Sequence, residues 1–291
     1  MDNLLSGLGK FGLDESVSKN IFEDEPAEDK KESAHALVQE PEVPKEEEFL
    51  LLKSIRCPVC DGVFRTIVVK SGRVKRKEPD MDLRPNYEHI DTNKYDVSSC
   101  PKCGYTALNR YFSHLSPLQI KLVKDEFCAK FKTAPTKPIQ EVAAIDYDTA
   151  IEHYKLALYA TIVKKGKASE KAYECLKIAW LLRGKMELLE AEDAEKNKEA
   201  IATARKEYDA FYSQAFDGFV KAIASESYPM CGMDQSTMDL LIAAMAYNLG
   251  NYEYSSHFVS GLLVSRTATR NIKERAHEMK ELILTKIKNK I

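Results

Sequence analysis

Two Cys-x-x-Cys pairs, Cys57-Pro58-Val59-Cys60 and Cys100-Pro101-Lys102-Cys103, constrain this chain more than any other feature. A tight bend that presents two thiolates, used twice, supplies the four soft ligands of a tetrahedral ion. Each pair is therefore expected to fold as a knuckle, and the two knuckles are expected to meet. Proline after the first cysteine stiffens each bend by fixing its φ. The residue just past such a bend favours a positive φ, which Gly104 adopts without steric cost and Asp61 tolerates better than most residues. The expected ligands are Cys57, Cys60, Cys100 and Cys103, the expected ion is Zn2+, and the site is expected to be closed and structural. No fifth ligand stands out. The pairs are 39 residues apart, longer than the compact spacing of about 15–20 residues, so a β-hairpin and a loop are expected between them.

The other chemistries of paired cysteines fit less well. Disulfides are disfavoured in a reducing compartment. A redox dithiol needs one pair, at a helix N-terminus after a strand, and neither pair opens a helical pattern. Cys128, Cys175 and Cys231 stand singly in helical patterns and read as small buried hydrophobes.

Around the knuckles the chain reads in three parts. Residues 1–48 carry a net charge of −9 and residues 49–291 a net of +7. The first part is charged, proline-punctuated and poor in aromatics, so it is expected to be a disordered acidic tail. Residues 49–115 are expected to form a small β-rich, zinc-ribbon-like module. Phe64–Val69 reads as a strand, Ser71-Gly72 as a turn with Val74 on a returning strand, Pro79–Asn93 as a loop, and Tyr95–Ser98 as a second extended piece.

Residues 116–291 read as α-helical. Ser116-Pro117 is a helix start, with a side-chain cap and a proline in the first turn, and Pro135 and Pro138 are expected to end that helix. Beyond it a spacing of aromatic and small residues recurs. Tyr147, Ala150, Tyr154 and Ala157 are echoed by Tyr212, Ala215, Phe219 and Ala222, and more loosely by Tyr252, Ser255, Val259 and Leu262. Small residues on one helix face admit a neighbouring helix and the aromatic fills the gap a turn away, as in tetratricopeptide hairpins. The copies lie 65 and 40 residues apart, so the array is expected to be irregular. The charged stretch Leu188–Ala210 is expected to be a long helix projecting past its neighbours, and Asn271–Lys290 an amphipathic closing helix. The fold class is thus mostly α with a small β-rich module.

No stretch approaches the ~20 apolar residues of a membrane span, and the first residues lack the basic start of a secretory signal. A cytoplasmic protein without membrane contact is expected. Lys70, Arg73, Lys75, Arg76 and Lys77 form a basic run in a module with 12 bases and 7 acids between Lys53 and Ser113. They are the candidate contacts to nucleic acid, with a solvated basic hairpin as the simpler reading. There is no phosphate-binding glycine loop, no Gly-x-Ser-x-Gly and no His-Glu-x-x-His, so an enzyme is not expected.

Cys57-Pro58-x-Cys60, the Tyr95-Asp96-Val97 piece and Cys100-Pro101-x-Cys103-Gly104-Tyr105, followed by tetratricopeptide-like helices, resemble the bacterial family named domain of unknown function 2225. The resemblance covers about residues 50–285 and implies a cytoplasmic bacterial protein, from a Gram-positive anaerobe, without an assigned activity. The expected function is a zinc-binding adaptor whose helical array grips an unknown protein or peptide. The alternative is nucleic-acid binding through the basic run.

Overall fold

The computed structural model describes residues 44–131 and 136–288. The expected tail up to residue 43 and Pro135 lie outside the described residues. Val43–Ile291 cluster as one compact unit, mostly α with two small two-stranded sheets.

β1 (Leu50–Arg56) and β2 (Val63–Val69) pair antiparallel from Leu50↔Val69 to Arg56↔Val63, so the first cysteine pair is the tip of their hairpin. β3 (Val97–Ser99) and β4 (Thr106–Leu108) repeat the plan around the second pair. The partner of β2 is thus β1, not a returning strand at Val74. Residues 71–73 form a turn, and Arg76 makes only an isolated bridge to Tyr87. The basic run therefore lies at the end of the hairpin opposite the knuckle. Thr92–Tyr95 form a 3-10 turn capped by the Asp91 side chain, so the second extended piece begins only at Val97.

α1 (Pro117–Leu122) starts where the sequence predicts, with a capping box between Ser116 and Gln119, and runs on as π and 3-10 turns through Lys130. Asp146 caps α2 (Tyr147–Val163) by accepting from the Thr149 N–H at 2.7 Å. α3 (Ala168–Asp193) and α4 (Lys198–Ile223) are 26 residues each. The charged stretch Leu188–Ala210 is therefore the tip of a helical hairpin, turned at residues 194–197, not one continuous helix. α5 (Gln235–Asn248) and α6 (Tyr252–Val264) are joined by Leu249-Gly250-Asn251. There Gly250 has φ +78°, its N–H and that of Asn251 bond back to Tyr247 and Ala246, and Asn251 caps α6. This double closure needs a left-handed residue, which explains the glycine. α7 (Arg270–Lys288) lays Ala276, Met279 and Ile283 against α5 and α6. No helix among the described residues is long and apolar enough to cross a membrane.

The repeated small and aromatic residues are buried as their spacing requires. Ala150, Tyr154, Ala157, Tyr212, Ala215, Phe219 and Ala222 all lie in the main core with Val97 and Leu108 of the second hairpin. α3 is buried on every face from Leu176 to Leu182, because α2, α4 and the Thr92–Tyr95 turn pack around it. Polar straps complete the join. Tyr154 Oη donates to the Asn93 carbonyl at 2.8 Å, and Lys177 Nζ to Asp96 at 2.7 Å. The loop after the basic run is tied down most firmly. Asp82 is 1 % exposed and accepts both guanidinium nitrogens of Arg183, at 3.1 and 2.5 Å, while Arg84 forks onto Glu187 at 2.8 Å twice.

One buried acid is poorly accommodated. Glu174 on α3 is fully buried; Thr161 donates to its Oε1 at 2.9 Å, and its Oε2 has no partner. Burial, and then the neighbouring Glu170 carboxylate, push its pKa up to about 8. A carboxyl raised on folding stabilises fully below its unfolded pKa, and that contribution is lost as pH rises to about 8. Thermal stability is expected to fall between about pH 5 and pH 8. Glu174→Gln is expected to flatten that fall and add on the order of 3 kcal/mol at pH 9. Melting curves across pH check this; identical profiles for the two chains would contradict it.

Candidate metal centre

The two knuckles share one backbone design. In the first, Cys57 N–H bonds to the Gly62 carbonyl at 2.9 Å and Asp61 N–H to the Cys57 carbonyl at 2.9 Å. In the second, Cys100 N–H bonds to Tyr105 at 2.8 Å and Gly104 N–H to Cys100 at 2.9 Å. Asp61 has φ +57° and Gly104 φ +79°, the left-handed positions expected from sequence. Gly62 serves a different end: a Cβ there would lie 3.1 Å from Lys102 Cδ and 3.3 Å from Cys60 Sγ. It lets the second knuckle close over the first.

The result brings the four predicted ligands together. The sulfurs of Cys57, Cys60, Cys100 and Cys103 all lie within 4.8 Å of one another, with Cys57–Cys103 at 3.6 Å and Cys60–Cys100 at 3.7 Å. A tetrahedron of sulfurs about 2.3 Å from a central ion has edges of about 3.8 Å, so the donor set fits such an ion. The separations are far longer than the ~2.05 Å of a disulfide, and all seven cysteines are free thiols. Crowded thiols perturb one another. Hydrogen bonds from Cys103 and then Cys57 hold Cys100 far below the ordinary thiol range, while Cys100 pushes Cys57 up to about 12 and raises Cys103. One sulfur keeps its charge at its neighbours' expense, and a cation at the centre would let all four ionise.

The site is walled by apolar side chains. Val59, Phe64, Tyr105 and Phe112 pack with Val123 and Phe127 of the α1 extension and Ala160 of α2. Tyr105 and Phe112 rings lie 5.0 Å apart, and Tyr105 Oη donates to the Phe112 carbonyl at 3.3 Å. This shell buries Cys57 and Cys100, leaves Cys60 and Cys103 half-buried, and couples the knuckles to the helices.

Sequence reasoning missed Cys128. It opens the 3-10 turn that ends the α1 extension, half-buried against the sulfur cluster. Its thiol meets Cys103, whose hydrogen bond lowers the Cys128 pKa. It lies outside the four-sulfur group. No spacing could have flagged it, since it reaches the centre only through the path of the helix.

The basic run is not gathered into one patch. Lys70 Nζ donates to the Glu48 carbonyl at 3.1 Å, Lys75 pairs with Glu88 at 3.6 Å, and Arg73 and Lys77 are exposed. Arg76 turns to a cleft against the helices. A family model described as "Uncharacterized protein conserved in bacteria (DUF2225)" matches residues 50–283. No curated protein and no solved structure gives a significant match.

Proposed function

The chain belongs to the bacterial family DUF2225, and on that premise we propose that it is a zinc-stapled adaptor that binds a partner protein and catalyses nothing. In this reading the ion is Zn2+, held by Cys57, Cys60, Cys100 and Cys103. Four thiolates complete its shell and leave no position open to a substrate, so its role is to hold the module. The helical array, read as tetratricopeptide-like, does the binding.

The observation that carries the reading is a groove of about 430 Å³ along α2, α3 and α4, walled by Leu158, Ile162, Cys175 and Phe211. Ile162 stands at its edge 55 % exposed. Lys171 and Lys221 line it too, with Asp217 as the lone carboxylate. Apolar walls with a cationic margin suit an amphipathic segment that brings apolar anchors and acidic flanks. The groove owes its shape partly to Gly218, where a Cβ would meet Ala172 Cβ at 2.8 Å. Glycine there lets α4 lie close against α3.

Affinity capture with the full chain from nuclease-treated lysate tests this. A partner protein is expected that survives neutralisation of Lys75, Arg76 and Lys77 and is lost with Ile162→Asp. Exposed Arg73, Arg76 and Lys77 support the alternative of nucleic-acid binding. Recovery of RNA or DNA, with an affinity that falls steeply with salt and on neutralising the basic run, would replace the adaptor reading.

A further inference from the structure

We propose that a second, separate site binds a small phosphorylated anion: the cleft of about 510 Å³ bounded by the strap after the basic run, the turn before α5 and the start of α7. Its size is that of an ordinary small-molecule pocket. Three arginines line it, Arg76, Arg110 and Arg275, against one carboxylate, Glu78. None of the three makes an ion pair among the described residues.

The contrast with their neighbours is the argument. Arg84 and Arg183, on or beside the same strap, are each neutralised by carboxylates at 2.5–3.9 Å. Arg65, Arg73, Arg205 and Arg266 likewise have no carboxylate partner among the described residues, but Arg76, Arg110 and Arg275 share one cleft. Three unpaired ones facing one cleft repel each other, and an anion with two or more charges removes that repulsion.

The cleft is built rather than incidental. Met230 and Met233 exchange backbone hydrogen bonds at 3.0 and 2.8 Å across Cys231 and Gly232, both with positive φ. Arg110 donates to the Cys231 carbonyl and packs over the rings of Tyr111 and Tyr173. Gly232, at φ +75°, holds a backbone conformation that favours glycine, and its open face lies against the Arg110 guanidinium. Arg275 is held by the carbonyls of Pro79 and Asp80, at 3.4 and 2.5 Å. Two further features suit an anion. Trp180, 3 % exposed, lines the cleft with its Nε1–H buried and lacking an acceptor. Asn271 and Ile272, in the first turn of the 19-residue α7, also line it, which adds the positive end of a helix dipole. Leu83, Met233 and Leu241 offer apolar surface for the ligand's body.

Calorimetric titration of the full chain with ADP, inorganic pyrophosphate and citrate tests the proposal. ADP and pyrophosphate are expected to bind one site per chain, ADP more tightly because its body covers the apolar wall. Arg76→Gln is expected to weaken both roughly tenfold or more. Its side chain is exposed, so the fold is expected to stand, as an unchanged melting temperature verifies. Arg275→Gln is expected to weaken binding likewise. Absence of saturable binding of either phosphate up to about 10 mM would overturn the site. So would equal affinity in both variants, and citrate binding as tightly as ADP would overturn its selectivity for phosphate.

Discussion

Stripping the metal with a strong chelator, or replacing Cys57 by Ser, is expected to remove amide protection from residues 50–112 while α3 and α4 keep most of their helicity. The hairpins pack on the helices, but they are small. β3 and β4 are three residues each, and isolated two-stranded ribbons are marginal in water. They meet through one buried hydroxyl pair, Thr66 and Ser98 at 3.2 Å, and through the sulfur cluster, whose four thiols lie within 4.8 Å and repel one another once ionised. A bound ion would supply what they lack: in small zinc-folded units the apparent binding free energy is about 10–16 kcal/mol and is also folding free energy. The damage is expected to spread inward only as far as the shared core. Val97 and Leu108 sit in the same cluster as Trp180, the one tryptophan of the chain, so its emission reports how far the loss travels. Hydrogen exchange with and without chelator makes the measurement. Hairpins that stay protected in chelator would show that packing on α1 and α2 suffices without the ion.

Asp82→Ala is the second large effect. This carboxylate is 1 % exposed and accepts from Arg183 and from Tyr212 Oη at 3.1 Å. Burial alone would lower the Arg183 pKa; Asp82 and then Tyr208 together more than reverse that. Removing the acid leaves a mostly buried guanidinium with Asp80, at 2.9 Å, as its near counter-charge, at a cost of about 3 kcal/mol, the low end for a broken buried pair. For a chain of this size the melting temperature is expected to fall by on the order of 10 °C. Adding Arg183→Met is expected to recover part of the loss, because the stranded charge goes with it. A double variant no better than Asp82→Ala would show that the strap is held by shape, not by charge.

Much was legible from residues a few positions apart. The knuckles, the positive φ at Asp61 and Gly104 and the Ser116-Pro117 helix start each follow from a short run of sequence, because the forces involved act across one bend of backbone. The small and aromatic stripes of α2, α4 and α6 were readable for the same reason, since helical periodicity is local. The hairpin partner of β2 was misplaced because Leu50–Arg56 and the stretch around Val74 both flank it, and only pairing across the knuckle decides between them. Leu188–Ala210 read as one helix because its turn carries neither proline nor glycine.

What the sequence alone determined is which four cysteines come together and the helical character of the rest. The tertiary structure decided what those parts are joined to: Asp82 meets Arg183 from 101 positions away, Arg275 holds the Asp80 carbonyl from 195 away, and Cys128 reaches Cys103 along a helix. Such contacts leave no periodic trace, because their partners are selected by how whole elements pack and not by any property of the residues between them.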